Sequence, residues 1–86
     1  MLTKTITIKN PSGLHARPAT AFVQKASAYP CNVNLIKGSK KINGKSIMGL
    51  MTLAAKQGEE LILEVDGPEE EVALDELTKV LEAEHL

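Results

Sequence analysis

Six turn signals cut this 86-residue chain into seven short segments, each long enough for one helix or one strand and no more. They are Asn10-Pro11-Ser12-Gly13, Tyr29-Pro30, Gly38-Ser39, Asn43-Gly44, Gln57-Gly58 and Gly67-Pro68. Proline pre-sets φ and glycine or asparagine tolerates positive φ, so regular structure stops at such pairs. The apolar period between them decides the type of each segment.

Leu2, Ile6 and Ile8 alternate with Thr3, Thr5, Thr7 and Lys9, the period of a half-buried strand. Ala19, Phe22, Val23 and Ala26 then recur at i, i+3, i+4 and i+7, a helix with one apolar stripe. Proline lacks an N–H and fits only the first turn, so Pro18 requires this helix to begin at about His15 to Arg17. Cys31, Val33 and Leu35 form a strand whose partner, Lys40-Lys41-Ile42, returns through a hairpin at Gly38-Ser39. Ser46 is placed as the N-cap of a short second helix with Ile47, Leu50, Met51 and Ala54 as its apolar stripe. Leu61, Leu63 and Val65 share one face of a fourth strand. In the last helix Pro68 is expected near the first position, with three glutamates in the first turn and Ala73, Leu74, Leu77, Val80 and Leu81 inward. The expected order is β-α-β-β-α-β-α over a single domain, residues 1–86. The expected fold is α+β, a four-stranded, largely antiparallel sheet covered on one face by three helices, with its other face wet.

Composition narrows the function. Ten Lys and Arg against eleven Asp and Glu give a net charge of -1, which offers no footprint for a polyphosphate backbone. With Phe22 and Tyr29 as the whole aromatic complement, unpaired bases have nothing to stack on, so nucleic-acid binding is disfavoured. Lys37, Lys40, Lys41 and Lys45 crowd the middle while Glu69, Glu70, Glu71, Asp75, Glu76, Glu82 and Glu84 crowd the end, so one basic and one acidic face are expected. Cys31 is alone and is expected to be a buried thiol; His15, Cys31 and His85 lack metal-ligand spacing, and His85 reads as part of a frayed end. The opening MLTKTITIKN has no apolar signal core and no run reaches a membrane span, so a soluble, cytoplasmic protein is expected.

His15 stands at the mouth of the helix that Pro18 fixes. A surface histidine there can be an indifferent cap, and Arg17 a solvated side chain. But a helix start leaves N–H groups unpaired and carries partial positive charge, so an anion formed on His15 would meet the amides of Ala16 and Arg17. The Arg17 guanidinium could add a planar fork of hydrogen bonds, as a phosphoryl group in transit requires. Pro18 withholds one donor from that cradle and so limits how tightly cargo is held.

GLHARPA from Gly13 to Ala19, followed by KSIMGLM from Lys45 to Met51, resembles the HPr family, the histidine-containing phosphocarriers of the bacterial phosphoenolpyruvate:sugar phosphotransferase system. The likeness spans essentially the whole chain and is of the Gram-positive type, with its regulatory serine. It implies an open-faced β-sandwich, no cofactor, and no turnover by the chain alone. It makes His15 the phosphoryl acceptor, Arg17 the charge stabiliser and Ser46 a regulatory phosphorylation site, roles compatible with capping. Thr20, Gln24, Ile47, Met48 and Met51 become partner-binding residues. Ile47 and Met51 also lie on the expected apolar stripe and could be core, whereas Met48 falls off it and is the better candidate for exposure. Ala54 stands where many relatives have glycine.

The implied partners are the system's first enzyme, enzyme I, and sugar-specific enzyme IIA domains. They extend to an HPr kinase/phosphorylase and a catabolite-control transcription factor, with the carrier itself a monomer. Two rivals remain at this level. One is a small phosphatase of similar fold, which would hydrolyse free acyl phosphates. The other is a regulator in which His15 phosphorylation signals without transport, although His15 itself argues against the family's regulatory paralogues, which lack it.

Overall fold

A computed structural model describes the chain except for Ser12, His15, Ala54, residues 83–86 and the side chain of Ala16. The elements are β1 (Leu2–Thr7), α1 (Ala16–Ser27), β2 (Asn32–Lys37), β3 (Lys40–Asn43), α2 (Ile47–Leu53), β4 (Glu60–Asp66) and α3 (Glu70–Glu82), in the expected order. The four strands form one sheet ordered β1-β4-β2-β3 with every pairing antiparallel. Register follows from the turns and the buried rows: Leu35 lies opposite Leu63 in β4 and Ile42 in β3, while Ile6 faces Leu61. Leu61, Leu63 and Val65 point inward with Val33, Leu35 and Ile6. The opposite face carries Thr3, Thr5, Asn34, Glu64 and the 40 % exposed Ile62, so it is the wet face.

The three helices close over the inward face. Phe22, Leu35, Leu50 and Leu77 are fully buried, each stabilising the fold by about 1.5–3 kcal/mol relative to exposure. Cys31 is a buried free thiol. Gly44 makes room where β3 leaves the sheet: its N–H donates to the Val33 carbonyl at 2.7 Å, and a Cβ there would stand 2.5 Å from Val33 Cγ1 and 3.2 Å from Phe22 Cε1.

Three expectations need correction. α2 buries Leu50 and Leu53, whereas Ile47 and Met51 from the expected stripe are 40 % and 46 % exposed; Ala54 lies outside the described residues. Leu50 and Leu53 turn inward, with Gly49 and the preceding Ser46 half-buried beside them. Gly49 faces β3, where a Cβ would make ordinary contact with Ile42 Cβ at 3.4 Å, so this side of α2 lies against that strand. Hydrophobicity does not reveal such a face, because its centre is a glycine.

α3 begins at Glu70, leaving Pro68 and Glu69 before it and two glutamates, Glu70 and Glu71, in its first turn. Glu69 adopts φ 62°, and its carbonyl accepts the Ala73 N–H at 2.9 Å. The Glu70 carboxylate accepts the Gly67 N–H at 3.1 Å and pairs with the Met1 ammonium at 3.1 Å. These contacts hold its pKa below the usual carboxylate value, the Gly67 N–H foremost. Thr78 is buried alongside Ala73, Leu77 and Leu81, its hydroxyl returned to the Leu74 carbonyl at 2.6 Å.

The four central lysines do not gather into one basic face. Lys41 pairs with Glu64 on the wet side of the sheet at 3.2 Å. On the helix side, Lys37 and Lys40 donate to the Leu53 and Thr52 carbonyls at 3.3 and 3.2 Å, and Lys45 donates to the Tyr29 carbonyl beyond α1 at 2.8 Å. α2 has no basic residue in its own last turn. Its exposed carbonyls take their cations from the neighbouring hairpin, a favourable arrangement at the negative end of a helix.

Candidate functional site

The segment leading into α1 is a tight turn seated on the chain that leaves α2. Gly13 donates to the Asn10 carbonyl at 2.9 Å, and the Leu14 N–H donates to the Ala55 carbonyl at 2.8 Å. Gly13 has φ +71°, and a Cβ on it would meet the Ala55 carbonyl oxygen at 2.6 Å and Lys56 Cα at 3.0 Å. Both neighbours are backbone and neither can rotate away, so the approach requires glycine on two independent grounds. Asn10, Gly13, Leu14 and Ala55 are all buried.

α1 then starts at Ala16, inside the window that Pro18 predicts. Pro18 and Ala19 turn inward, Arg17 and Gln24 are exposed, and Thr20 is half-buried. His15, the residue the sequence singles out, lies outside the described residues. The hydrogen bond from Leu14 to Ala55 nonetheless places the start of α1 beside the chain that leaves α2.

α2 brings the second motif to the same side, since α1 and α2 pack together over the sheet. Ser46 caps it: Oγ accepts the Gly49 N–H at 3.1 Å, and the Ser46 carbonyl accepts the Leu50 N–H at 3.1 Å. Met48 is 77 % exposed and, with Ile47 and Met51, makes α2's outer face apolar. Three large apolar side chains exposed on two turns of one helix are unusual for surface left to water, and methionine adapts its shape to more than one partner. The sequence missed how this face is held. Neither Ala55 nor the Lys37–Glu59 pair stood out, and the one signal available for the first was Gly13 at the end of an Asn-Pro-Ser-Gly turn.

The support continues past α2. Glu59 accepts the Lys56 N–H at 2.6 Å and pairs with Lys37 at 3.2 Å. These contacts hold its carboxyl below the usual glutamate value, the Lys56 N–H foremost and the Lys37 ammonium next. The Gly58 N–H reaches the Ile8 carbonyl at 2.8 Å, and the Ile8 N–H reaches the Glu59 carbonyl at 2.9 Å. The chain that leaves α2 is thus fastened to Ile8 just past β1, to the β2–β3 hairpin and to the turn before α1. Among the described residues no group of three His, Cys, Asp or Glu side chains could hold a metal ion. No helix among them is long and apolar enough to cross a membrane.

Comparison with known proteins bears on this arrangement. The family described as PTS HPr component phosphorylation site matches residues 2–83. The phosphocarrier protein HPr of Treponema pallidum is 42% identical over 82 residues, covering 95% of this chain and 93% of that protein. The HPr-like protein Crh of Bacillus subtilis is also 42% identical, over 84 residues that cover 98% of this chain and 99% of its own. Among solved structures, HPr from Thermoanaerobacter tengcongensis superposes with a TM-score of 0.90 at 46% identity, covering 94% of this chain and 91% of that one. A dimer of HPr from the same organism matches with a TM-score of 0.73 over 93% and 92% of the two chains.

Proposed function

Because this chain belongs to the HPr family, phosphocarriers of the phosphotransferase system that are not enzymes in their own right, we propose that His15 is its phosphoryl acceptor. The observation that carries this reading is the GLHARPA motif falling where α1 begins, within a family match that runs the length of the fold.

The donor is a phosphohistidine on enzyme I. A ring nitrogen of His15 attacks its phosphorus; the N–P bond to the donor imidazole breaks as the new N–P bond forms, and the donor imidazole keeps the released electron pair. Positioning and electrostatics do the work in such a transfer. Arg17, exposed in the first turn of α1, spreads its guanidinium over the equatorial oxygens, and the amides of Ala16 and Arg17 add N–H donors at the positive end of the helix. The same step, run onto a histidine of a sugar-specific enzyme IIA domain, discharges the carrier.

Thr20 and Gln24 of α1, with Ile47, Met48 and Met51 of α2, form the docking face; the exposure of Gln24, Ile47, Met48 and Met51 on adjoining helices supports this, with Thr20 half-buried beside them. Ser46 is the regulatory site, addressed by an HPr kinase/phosphorylase. A phosphate there adds about -1.5 to -2 charge next to Ile47 and Met48 and acts by repelling partners rather than by unfolding α2. The working form is a monomer, since both helices must face the partner. The dimer described for the Thermoanaerobacter protein makes oligomeric state a direct check by sedimentation.

The match to Crh supports a second reading, a regulator that meets a catabolite-control transcription factor through the same face. Incubation with phosphoenolpyruvate and enzyme I, followed by intact-mass measurement, tests the acceptor, and onward transfer from the labelled chain to an enzyme IIA domain separates the two readings. A carrier gains one acid-labile phosphoryl group, and His15→Ala gains none. Full labelling of His15→Ala would remove the acceptor assignment.

A further inference from the structure

We propose that the Ala55 carbonyl is a strut that positions the phosphoryl acceptor, with Gly13 and Leu14 as the positioning residues that seat on it. The proposal rests on the reading of His15 as acceptor.

Three observations meet at this oxygen. Leu14, the residue before His15, donates its N–H to it at 2.8 Å. Gly13 lies so close that a Cβ would stand 2.6 Å from it, at a φ of +71° that disfavours any side chain. The chain carrying it cannot easily yield. Upstream, the Thr52 and Leu53 carbonyls are held by Lys40 and Lys37. Downstream, Lys56 is held by Glu59 through its N–H, and the Gly58 and Glu59 backbones are paired to Ile8.

The consequence is mechanical. The outer face of α2 and the start of α1 are separate in sequence, yet one fastened segment carries the first and seats the second. A partner that docks on Met48 and Met51 therefore meets a turn before α1, at Gly13 and Leu14, whose distance from that face is already set. Orientation of this kind acts on the transfer step and not on docking, because the apolar face is intact whether or not Leu14 is seated. Gly13 is then required at its position for closeness of approach, a demand separate from any contact with phosphate.

The test replaces Leu14 by its α-hydroxy acid analogue. This exchanges the N–H for an ester oxygen, keeps the side chain and removes only the donor. With enzyme I and phosphoenolpyruvate, kcat for transfer should fall about tenfold or more, while KM for the carrier stays within about twofold. Gly13→Ala, which keeps the donor but forces the turn away, should show the same split. In the unmodified protein the Leu14 amide should exchange with solvent at least roughly a hundredfold more slowly than in an unstructured peptide, a measurement that needs no variant.

A kcat within twofold of the unmodified value in the ester variant overturns the strut, as does a raised KM with unchanged kcat, or Leu14 exchange at the unstructured rate. An unmodified protein that takes no label on His15 overturns the acceptor assignment and the positioning role with it. Label on His15 together with undiminished kcat in the ester variant overturns the positioning role alone.

Discussion

Met48 and Leu50 lie two residues apart on α2 and should respond to substitution in opposite ways. Met48 is 77 % exposed and Leu50 is 0 % exposed. Burying a methionine completely is worth about 1.5–3 kcal/mol, so covering the exposed three-quarters of Met48 under a partner contributes roughly 1.2–2.3 kcal/mol. Met48→Asp forfeits that and adds a charge to be desolvated, so the Kd for enzyme I should rise about 10- to 50-fold. Stability should stay within about 0.5 kcal/mol, because the site is solvated and an anion in the first turn of a helix is locally favourable. Leu50→Ala opens a cavity under α2 and should cost about 2–5 kcal/mol. Urea denaturation gives the stabilities and titration calorimetry the affinities. A Met48→Asp protein that loses more than about 1 kcal/mol of stability yet binds as before would refute the reasoning, since Met48 would then belong to the core.

Ser46→Asp keeps a capping oxygen but places charge beside Ile47 and Met48; transfer from enzyme I should slow at low ionic strength and recover with salt, and equal rates at low salt would reduce Ser46 to a helix cap. Arg17→Lys keeps the charge and loses the planar fork, so transfer should slow with the thermal midpoint unchanged; an undiminished rate would withdraw its role. Glu59 has a folded pKa lowered from 4.5, so its pairing contributes stability that is fully present above about pH 4.5 and is lost as pH falls through the folded value. Glu59→Gln should therefore be less stable than the unmodified protein near pH 7, with the gap closing on acidification, and a gap that widens below pH 4 would reverse the assigned sign.

Much of the fold is legible locally. Strand β4 declares itself through Leu61, Leu63 and Val65, whose alternation is that of a sheet buried on one face, and all three are buried. α1 follows from the stripe of Ala19, Phe22 and Ala26 and from Pro18, whose missing N–H sets the first turn within a residue or two. α2 is where local pattern misleads. Ile47 and Met51 are as apolar as Leu50 and Leu53, and nothing in a seven-residue helix says which pair turns inward. The packing of that side against β3, with Gly49 facing Ile42, decides it, and this contact exists only once the sheet has formed.

The candidate site divides in the same way. By itself the sequence carries the identity and order of the chemistry: a histidine at a helix start, an arginine two residues on, a capping serine, and a turn that ends in glycine. These are properties of adjacent residues, and backbone sterics and helix-end electrostatics act over that range. Only tertiary structure decided that the central lysines are spent on the ends of α1 and α2 and on Glu59 and Glu64 instead of forming a basic face. It alone decided that Leu14 and Gly13 seat on Ala55, a carbonyl with no local signature. A backbone oxygen is the same chemical group at every position. What makes this one a strut is the packing of distant segments around it, and that depends on which faces the sheet and the helices bury together.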